Sequence, residues 1–399
     1  MICAMPNTSD TSARTRWLGA AQLIAAVRAE PGITRVEAAH RLGIGSGGAT
    51  ELVARLRHAR LLDESPTKTR GRGRPTTVLG PHPEGPLVIA AELRSSDWRL
   101  ALVDIGGTPR TVAQAPRGRS EPEPERELAD MADAIGRLHD LQGSRVRAVS
   151  VSVAGTVSDN TLVQFTPRGW TDTDLSPLTA RIPGDIPLLI GNDATLAGLA
   201  EARTGAARGA STALHLIIAV GIGGTLVVDG VPTTGARGAA GEYGHIPFGD
   251  RSRKCPCGAM GCWDLSIDGR SLAAFLGAPP PPDPVGYARE LLDGLGSGEA
   301  DLAAAFDSVG SALGFGIAGL VNLHDPDVVT LGGLAPLFRT AAEHSFDSAF
   351  DEGLMSFRKP SPPPILDGVH GDEGPLYGAC CRGLDHITTD VSLAEWAAR

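Results

Sequence analysis

One histidine and three cysteines form the most chemically distinctive set in the sequence. Nine residues separate His245 from Cys255, and two more cysteines follow within the same short segment. Ligands of this kind and number complete the tetrahedral shell of a structural Zn²⁺ and leave no open position for catalysis. The other three cysteines lack this clustering, and disulfides are rare in cytoplasmic proteins. The sequence therefore predicts a structural zinc site at His245, Cys255, Cys257 and Cys262.

A second group of residues could bind DNA. The segment Ser46–Ala59 follows a glycine-containing turn and carries polar side chains on one helical face. The N-terminal part of such a helix enters the major groove, where threonine can contact a thymine methyl and glutamate can accept from cytosine. The basic loop Thr67–Pro75 suits a phosphate backbone or a minor groove, with a disordered linker as the alternative. The predicted DNA contacts are Ser46, Gly47, Thr50, Glu51 and Arg55 on the helix and Arg70, Arg72 and Arg74 on the loop.

Helical periodicity supplies the elements that would carry these residues. Apolar residues recur at helical spacing over 16–30, and Pro31-Gly32 ends that helix. Thr34 can cap the next helix, with Glu37 as its capping-box partner. The apolar residues Val36, Ala39, Leu42 and Ile44 are expected to face Ala49, Leu52, Val53 and Leu56. Short strands flank the basic loop, so a winged helix-turn-helix domain is predicted over about 14–80.

The charges are divided unevenly along the chain. Of the 399 residues 42% are hydrophobic and 21% charged, which is typical of a soluble globular protein. Residues 1–80 carry a net charge of +6, and the remainder carries −16. A basic head on an acidic body suggests that only the head meets a polyanion. No run approaches the roughly 20 apolar residues of a membrane helix, and the N-terminus lacks a secretory pattern. We therefore expect a cytoplasmic protein without a membrane partner.

From about residue 82 the pattern changes to strands followed by helices. Three strands between residues 86 and 115 precede an acidic helix at 125–138, and a similar succession begins again after residue 210. This repetition predicts two α/β lobes in tandem. Lobe 1 is expected over 85–200, completed by a C-terminal helix at about 375–387, and lobe 2 over 201–374 with the zinc site.

Residues 221–245 (GIGGTLVVDGVPTTGARGAAGEYGH), followed by Lys254–Cys262 (KCPCGAMGC), resemble the ROK family of repressors, open reading frames and kinases. The resemblance extends over the chain from about residue 16 and includes the winged head of the repressor branch. It implies a winged helix-turn-helix followed by two actin/hexokinase-like (ribonuclease H-like) α/β lobes that close on a sugar. It also implies that the matching histidine and cysteines bind zinc.

The resemblance further implies a sugar pocket. In the family's sugar kinases, an Asn-Asp pair that matches Asn192-Asp193 binds hydroxyl groups, and the aspartate is the general base. Taken alone, an Asn-Asp pair after a strand is more often a turn or a helix cap. Asp264 stands where the family usually has glutamate, and Ala154 replaces a proline in the loop before Gly155. The expected effector-binding residues are Gly155, Asn192, Asp193, Glu242, His245 and Asp264.

Whether the chain is a kinase depends on which hairpin carries the first phosphate loop. Asp104–Thr108 matches the Asp-x-Gly-x-Thr motif that holds phosphates and Mg²⁺. In the family this loop joins the first two strands of a three-stranded meander, whereas counting from strand 86–93 puts Asp104–Thr108 in the second hairpin. The first hairpin holds Glu92–Ser96, which has no glycine and directs Arg94 toward the phosphate space. We expect the motif to be lost and the chain not to be an enzyme; Asp193 would be the general base of a kinase.

These observations predict a sugar-responsive transcriptional repressor of carbohydrate-metabolism genes. It would bind a double-stranded DNA operator as a homodimer or homotetramer and take a sugar or sugar phosphate in the kinase-like cleft. The alternative is an ATP-dependent, glucokinase-like sugar kinase with a DNA-binding head, in which Asp104–Thr108 is the functional phosphate loop. A further alternative is a kinase-like scaffold without affinity for sugar.

Overall fold

The structure, a computed structural model, describes residues 8–66, 77–95, 97–116, 124–165, 168–295 and 299–399. The chain forms two compact units. Unit 1 contains the described residues up to Val151, together with Asp174–Ile190 and Ala379–Arg399, and unit 2 contains Ser152–Thr173 and Gly191–Gly378. The three-domain division at residues 80 and 200 stays a prediction.

The head of unit 1 consists of three helices and a strand pair. Helices α1 (Thr8–Ala29), α2 (Arg35–Leu42) and α3 (Ser46–His58) precede the antiparallel strands β1 (Leu62–Pro66) and β2 (Thr77–Pro81). The predicted capping box begins α2, because the Glu37 amide donates to Thr34 Oγ1 and the Glu37 carboxylate accepts from the Thr34 amide. Gly43 ends α2 at a φ of 65°, which glycine adopts without strain. The head is therefore the predicted winged helix-turn-helix.

One part of the predicted helix packing is wrong. Val36 was expected to face α3, but its side chain is 76% exposed. The buried residues of α2 are Ala38 and Ala39, and about 100° per residue places Val36 on the opposite face from Ala38. The expected partners on α3 are buried, namely Ala49, Leu52, Val53 and Leu56.

A five-stranded sheet of strand order β10-β6-β3-β4-β5 follows the head. Strands β3 (Leu87–Leu93), β4 (Asp97–Asp104) and β5 (Arg110–Pro116) form an antiparallel meander before helix α4 (Pro124–Gln142). Strands β6 (Val146–Val153) and β10 (Leu188–Asn192) complete the sheet. Every residue of β3 is buried, so β3 is a core strand. The three strands predicted before the acidic helix are therefore confirmed.

A second five-stranded sheet, of order β13-β12-β11-β14-β15, forms the centre of unit 2. Its strands are β11 (Thr212–Ile218), β12 (Ile222–Val228), β13 (Val231–Pro232), β14 (Val328–Gly333) and β15 (Ile365–Asp367). A smaller sheet contains β7 (Thr156–Ser158), β8 (Thr161–Phe165) and β9 (Trp170–Asp174). The helices that follow β10 are α5 (Asp193–Thr204), α6 (Gly269–Phe275), α7 (Pro284–Gly294), α8 (Ala300–His324), α9 (Ala335–Ala341), α10 (Glu343–Gly353), α11 (Gly374–Ile387) and α12 (Asp390–Ala397). The predicted α/β class is confirmed.

Helix α8 differs from one expectation, namely that no segment is long and apolar enough to cross a membrane. Its 25 residues are long and apolar enough to cross a membrane, although no such segment was expected. A helix over 302–323 was predicted, but glycines and small polar residues interrupt its apolar run, so the sequence shows no uninterrupted apolar stretch of membrane length. In the structure 61% of its most apolar window is buried inside the protein, and Phe306, Leu313 and Ile317 are fully buried. This helix is the core helix of unit 2.

Candidate metal centre and effector site

The four predicted metal ligands come together in the loop between β13 and α6. The Sγ atoms of Cys257 and Cys262 are 3.6 Å apart, and Cys255 Sγ lies 3.9 Å from His245 Nδ1. All four ligand atoms lie within 4.8 Å of one another. Tetrahedral sulfur ligands at about 2.3 Å from an ion are separated by about 3.8 Å. The four donors therefore fit a single metal ion.

A tight turn positions the cysteines. The amide of Cys255 donates to the carbonyl of Ala259 at 2.8 Å, and the amide of Gly258 donates to the carbonyl of Cys255 at 2.9 Å. Gly258 has a φ of 96°, a conformation that side chains with a Cβ rarely adopt. The turn keeps two cysteines on one side of the loop, and Cys262 returns beside them.

His245 connects the metal ligands to a carboxylate. Its Nδ1 lies toward Cys255, whereas its Nε2 lies 3.8 Å from Glu242 Oε2. A histidine that binds metal through one nitrogen commonly directs the other N–H toward a carboxylate, which fixes the ring. Glu242 in turn accepts a 2.7 Å hydrogen bond from Thr156 Oγ1 at its other oxygen. The metal loop and the Glu242 carboxylate are thus linked through one imidazole ring.

Asn192 is the N-cap of α5 and also ties this helix to a neighbouring loop. Its Oδ1 accepts from the amide of Thr195 at 3.1 Å, so the helix-cap interpretation of the Asn-Asp pair is correct. Its Nδ2 donates to the carbonyl of Gly155 at 3.1 Å and to Asp193 Oδ1 at 3.0 Å. A Cβ at Gly155 would lie 2.5 Å from the carbonyl oxygen of Gln164, so glycine is required there. The cap thereby holds the Asn-Asp pair against the Gly155 loop.

Thr156, which follows Gly155 directly, was not identified from the sequence. It completes a continuous series of contacts that runs from Asn192 through the Gly155 loop and Glu242 to His245. The signal that could have identified it is its place in that loop, where a hydroxyl can reach a carboxylate from another segment. All six predicted effector residues lie in one connected cluster, since His245 also approaches Asp264: Gly155, Asn192, Asp193, Glu242, His245 and Asp264.

The sixth predicted effector residue, Asp264, has a structural partner of its own. Its Oδ1 accepts from the amide of Ile222 at 2.7 Å, and its Oδ2 lies 3.8 Å from His245 Nδ1. Burial raises the pKa of the Asp264 carboxyl above its usual range. A Cβ at Gly221 would lie 2.9 Å from Asp264 Oδ2, so the carboxylate sits against the backbone of this turn. One oxygen of Asp264 is therefore used to hold the 221–222 turn.

Ion pairs close the hairpin between β3 and β4. Arg94 and Asp97 form a two-pronged ion pair across the turn, with 2.6 Å between Arg94 Nε and Asp97 Oδ1. Just before the turn, Glu92 and Arg99 form a buried ion pair at 2.5 Å. The guanidinium of Arg94, which was expected to project into a phosphate space, is therefore bound to Asp97 of the same hairpin.

Asp104 lies in the second hairpin, between β4 and β5, as the strand count predicted. Its Oδ1 accepts from the amide of Gly106 at 2.8 Å. A Cβ at Gly107 would lie 2.9 Å from Arg28 Cγ, and one at Gly106 would lie 3.1 Å from Pro81 Cγ. These glycines therefore permit close packing of the turn against the head.

The residues predicted to contact DNA are partly described. Thr50 and Glu51 are exposed on α3; Thr50 Oγ1 donates to the carbonyl of Ser46 at 2.8 Å, and Arg55 pairs with Glu51 at 3.3 Å. A Cβ added at Gly47 would meet nothing within 4 Å, so the first turn of α3 presents an open surface. The predicted loop contacts lie outside the described residues, namely Arg70, Arg72 and Arg74.

Comparisons with known proteins support both the fold and the motif. A model of the ROK family matches residues 89–382. Kanosamine kinase of Amycolatopsis mediterranei is 32% identical over 215 residues, which cover 52% of this chain and 68% of the kinase. The xylose repressor of Bacillus spizizenii is 27% identical over 184 residues, which cover 46% of this chain and 47% of the repressor.

Two solved structures extend the comparison. A ROK family transcriptional regulator, a homolog of the E. coli MLC protein, superposes with a TM-score of 0.74 at 19% identity. It covers 96% of this chain and 99% of its own. The ROK hexokinase of Thermus thermophilus has a TM-score of 0.58 at 26% identity and covers 74% of this chain and 97% of its own. The regulator therefore shares the fold over nearly the whole chain.

Proposed function

Because the chain belongs to the ROK family, we propose that it is a sugar-responsive, DNA-binding repressor of carbohydrate-metabolism genes. The family includes repressors and kinases, as the xylose repressor and kanosamine kinase relatives illustrate. The observation that carries the proposal is the combination of a winged helix-turn-helix head with ion pairs in place of the first phosphate loop. Loss of the preorganised donors of that loop would raise the barrier to phosphoryl transfer by several kcal/mol.

The DNA contacts follow from the exposed face of α3. Ser46, Gly47, Thr50, Glu51 and Arg55 would enter a major groove, while Arg70, Arg72 and Arg74 of the wing would contact phosphates or a minor groove. Two heads of a homodimer, or pairs of heads in a homotetramer, would match the two half-sites of a palindromic operator. Binding of operator DNA would place the protein in the cytoplasm.

The effector would be a sugar or sugar phosphate bound at the Asn192–Glu242 cluster. The carboxylates of Asp193 and Glu242 can accept hydrogen bonds from hydroxyl groups, which suits a polyol whose buried hydroxyls each need a partner. The Nδ2 of Asn192 donates to Gly155 and to Asp193, so Asn192 would exchange one of these bonds for a sugar hydroxyl. Gly155, His245 and the second oxygen of Asp264 would complete the pocket. To act as a switch, the sugar must favour one conformational state by about 1–3 kcal/mol.

The metal of the His-Cys₃ cluster is assigned as structural Zn²⁺. Three thiolates and one imidazole are the ligand set that zinc prefers, and the closed set leaves no position for a catalytic water. When bound, the ion would fix His245 and hence the orientation of Glu242 at the effector site.

A binding screen tests this function. Purified full-length protein is titrated calorimetrically with sugars, sugar phosphates and ATP–Mg²⁺, and each titration is repeated with Asp193→Asn and with Asp347→Asn, an exposed aspartate of α10. We expect one class of sugar to bind wild type and Asp347→Asn but not Asp193→Asn, without phosphate transfer from ATP. Failure of every sugar to bind would overturn the effector proposal.

The second candidate is a sugar kinase that carries a DNA-binding head. It is supported by the kanosamine kinase relative and by the Asp104–Thr108 motif. The position of that motif in the second hairpin, against Arg28 of the head, opposes it. Transfer of phosphate from ATP to a hexose, abolished by Asp104→Asn, would establish this candidate instead.

A further inference from the structure

A cavity of about 440 Å³ lies within unit 1. It is bounded by the end of α4, the start of β6, the loop before β10, the end of α11, and α12. We call it the α12 cavity. Cavities of this size hold small metabolites, and its lining includes no residue predicted to bind DNA, metal or sugar. Its ionisable lining residues are His139, Arg147, Asp185, His386, Glu395 and Arg399.

Hydrogen bonds fix two walls of the α12 cavity. Between α11 and α12, Ser392 Oγ donates to the carbonyl of His386 at 2.9 Å, and the Ser392 amide donates to Thr389 Oγ1 at 3.2 Å. In the loop before β10, the amide of Val149 donates to the carbonyl of Pro187 at 2.9 Å, and the proline ring restricts the backbone there. The α12 cavity is therefore a preorganised concave surface, which reduces the free-energy cost of binding a ligand.

The charged side chains of the α12 cavity differ in depth. Those of Arg147 and His139 are 16% and 14% exposed, whereas that of Glu395 is 63% exposed and Asp185 is exposed at the rim. Arg147 Nη2 lies 3.7 Å from Glu395 Oε2, which is too far for a hydrogen bond. Within the described ranges, the Arg147 guanidinium forms no hydrogen bond. Its N–H donors are therefore available to a ligand.

We propose that the α12 cavity binds a small molecule with one anionic group and several hydroxyl groups, such as a sugar acid or a polyol phosphate. A planar guanidinium matches a carboxylate or a phosphate through two parallel hydrogen bonds, so the anionic group lies against Arg147. The imidazoles of His139 and His386 can donate to the ligand as well. The carboxylates of Asp185 and Glu395 accept from hydroxyl groups at the rim and repel a second negative charge.

This inference goes beyond the proposed function, because it adds a second ligand site. The residues of the α12 cavity belong to unit 1, whereas those of the proposed sugar pocket belong to unit 2. A ligand of the α12 cavity would therefore bind independently of whether a sugar binds at Asp193.

The α12 cavity adjoins the contacts that anchor the head. On α11, the lining residue His386 follows Asp385, whose carboxylate accepts from Arg28 of α1 at 3.1 Å. On α12, Trp396 donates to the carbonyl of Ala59 at 2.7 Å. A ligand that contacts α11 and α12 would restrict both helices that hold the head. Its affinity would therefore be coupled to the position of the head, and the cavity would be a regulatory site.

Calorimetric titration of the full-length protein without DNA tests the site with two probes, gluconate and glycerol 3-phosphate. Hexanoate, which has the six-carbon chain of gluconate without its hydroxyl groups, is the control ligand. The test variants are Arg147→Gln and His386→Gln. Arg208→Gln is the matched control, because Arg208 is an exposed arginine of unit 2, and Asp193→Asn separates the α12 cavity from the sugar pocket.

We expect at least one probe to bind wild type, Arg208→Gln and Asp193→Asn with affinities within about twofold of one another. The affinity should fall about tenfold or more in Arg147→Gln and about threefold or more in His386→Gln, because each variant removes a hydrogen-bond donor to an anion. Binding of gluconate in preference to hexanoate identifies a hydroxylated carboxylate as the ligand class. Binding of glycerol 3-phosphate alone identifies a phosphate ester.

Four results would overturn the inference. Neither probe binds at millimolar concentrations, hexanoate binds as tightly as gluconate, or both test variants bind as tightly as Arg208→Gln. The fourth is a loss of binding in Asp193→Asn, which would assign the probe to the sugar pocket. Because the side chain of His386 is exposed, His386→Gln decides the question if Arg147→Gln does not fold.

Discussion

The hydroxyl of Thr156 orients Glu242 in the proposed effector site. Its 2.7 Å hydrogen bond holds Glu242, whose other oxygen faces His245. Thr156→Val keeps the shape of the side chain and removes the donor, so Glu242 loses its fixed orientation. We expect sugar affinity to fall about tenfold, since a hydrogen bond to a charged group contributes about 1.5 kcal/mol or more. Calorimetric titration measures this, with Thr171→Val on β9 as the control; equal affinity in both variants would contradict the assignment.

His215 makes the free energy of unfolding depend on pH. Burial lowers the pKa of this imidazole to about 4, and its Nδ1 lies 2.9 Å from Thr330 Oγ1. Glu201 acts on the ring in the opposite sense, whereas His370 lowers its pKa further. An unfolded histidine titrates near 6.5, so between these pH values the unfolded chain binds a proton that the folded chain does not. The free energy of unfolding should therefore decrease as pH falls from about 6.5 toward 4, by up to roughly 3 kcal/mol.

Urea unfolding at several pH values measures this effect. His215→Gln should flatten the slope between pH 6.5 and 4, whereas His58→Gln, which changes an exposed histidine of α3, should leave it unchanged. A slope that is the same in wild type and His215→Gln would show that other groups control acid stability.

Among single residues, the sequence predicted those whose residue type and spacing point to one use. It missed those whose role depends on a contact with a residue far away in the chain. The metal ligands could be predicted because three cysteines and a histidine at this loop spacing are typical of a metal site. Thr156 could not, because its role depends on Glu242, which is 86 residues away in the chain. Asp264 was expected to face the effector, but nothing in its spacing revealed that one oxygen holds Ile222.

Among the helices and strands, α3 has two glycines in its first turn, Gly47 and Gly48. Substitution of each one should affect helix stability and DNA binding differently. An added Cβ meets nothing within 4 Å at Gly47 or Gly48, so alanine at either position should raise helix stability by up to about 1 kcal/mol. Gly47 lies three and four residues before Thr50 and Glu51, on the face predicted to enter the groove. Gly47→Ala should therefore weaken operator binding, while Gly48→Ala should stabilise the head without this loss.

Thermal unfolding and fluorescence anisotropy with operator DNA measure the two effects. If Gly47→Ala binds DNA as tightly as Gly48→Ala, the glycine is not needed for close approach and α3 docks differently.

The metal loop is the second element with a direct test. Removal of the metal by a chelator, or Cys257→Ser, should release the loop and with it His245 and Phe248. We expect the thermal midpoint to fall on the order of 5 °C, and the sugar affinity to decrease with it. Metal analysis of the purified protein gives the stoichiometry, with one zinc per chain expected. Unchanged unfolding and sugar binding after complete chelation would contradict a structural role.

The three-stranded meander β3-β4-β5 was predictable because each hairpin is local in sequence and β3 is buried along its whole length. The exposed position of Val36 was not predictable. The short helix α2 buries only two residues, and a small rotation about its axis changes which side chains face α3. A helix at 302–323 was predicted and corresponds to α8; only the length of its apolar stretch was underestimated, because glycines that serve close packing interrupt it.

In the whole molecule, helix α11 contains residues of both compact units. Its first residues belong to unit 2, where Gly378 packs against the backbone of Leu196 in α5, the helix that begins at the Asn-Asp pair. Its later residues belong to unit 1, where Asp385 pairs with Arg28 of α1 at 3.1 Å. Trp396 of α12 also donates to the carbonyl of Ala59 at 2.7 Å. The head is thus anchored to the C-terminal helices.

Arg28→Met tests whether this anchorage transmits the effector signal. The substitution keeps an apolar stem against Gly107 but removes the ion pair with Asp385 and the 3.2 Å hydrogen bond to Thr388. We expect sugar affinity to stay within about twofold, because Arg28 lies outside the proposed pocket, while the sugar-induced change in operator affinity shrinks. Arg41→Met, which breaks an exposed pair with Glu30, is the control. If sugar changes the operator affinity of Arg28→Met as much as that of wild type, the C-terminal helices do not transmit the effector signal.

The α/β lobes and the winged head were predictable at this scale because charge, periodicity and family motif agree. The anchorage of the head was not. It depends on which surfaces meet after folding, and residues more than 300 positions apart form the Arg28–Asp385 pair.

We propose that sugar binding at Asp193 controls DNA binding without phosphoryl transfer. The most direct measurement is the operator affinity of the full-length protein with and without the sugar found by calorimetry, for wild type, Asp193→Ala and Asp347→Ala. We predict that sugar changes the operator dissociation constant roughly 5- to 150-fold in wild type and Asp347→Ala, has no effect in Asp193→Ala, and acts without ATP. A sugar response that persists in Asp193→Ala, or that requires ATP, would contradict this claim.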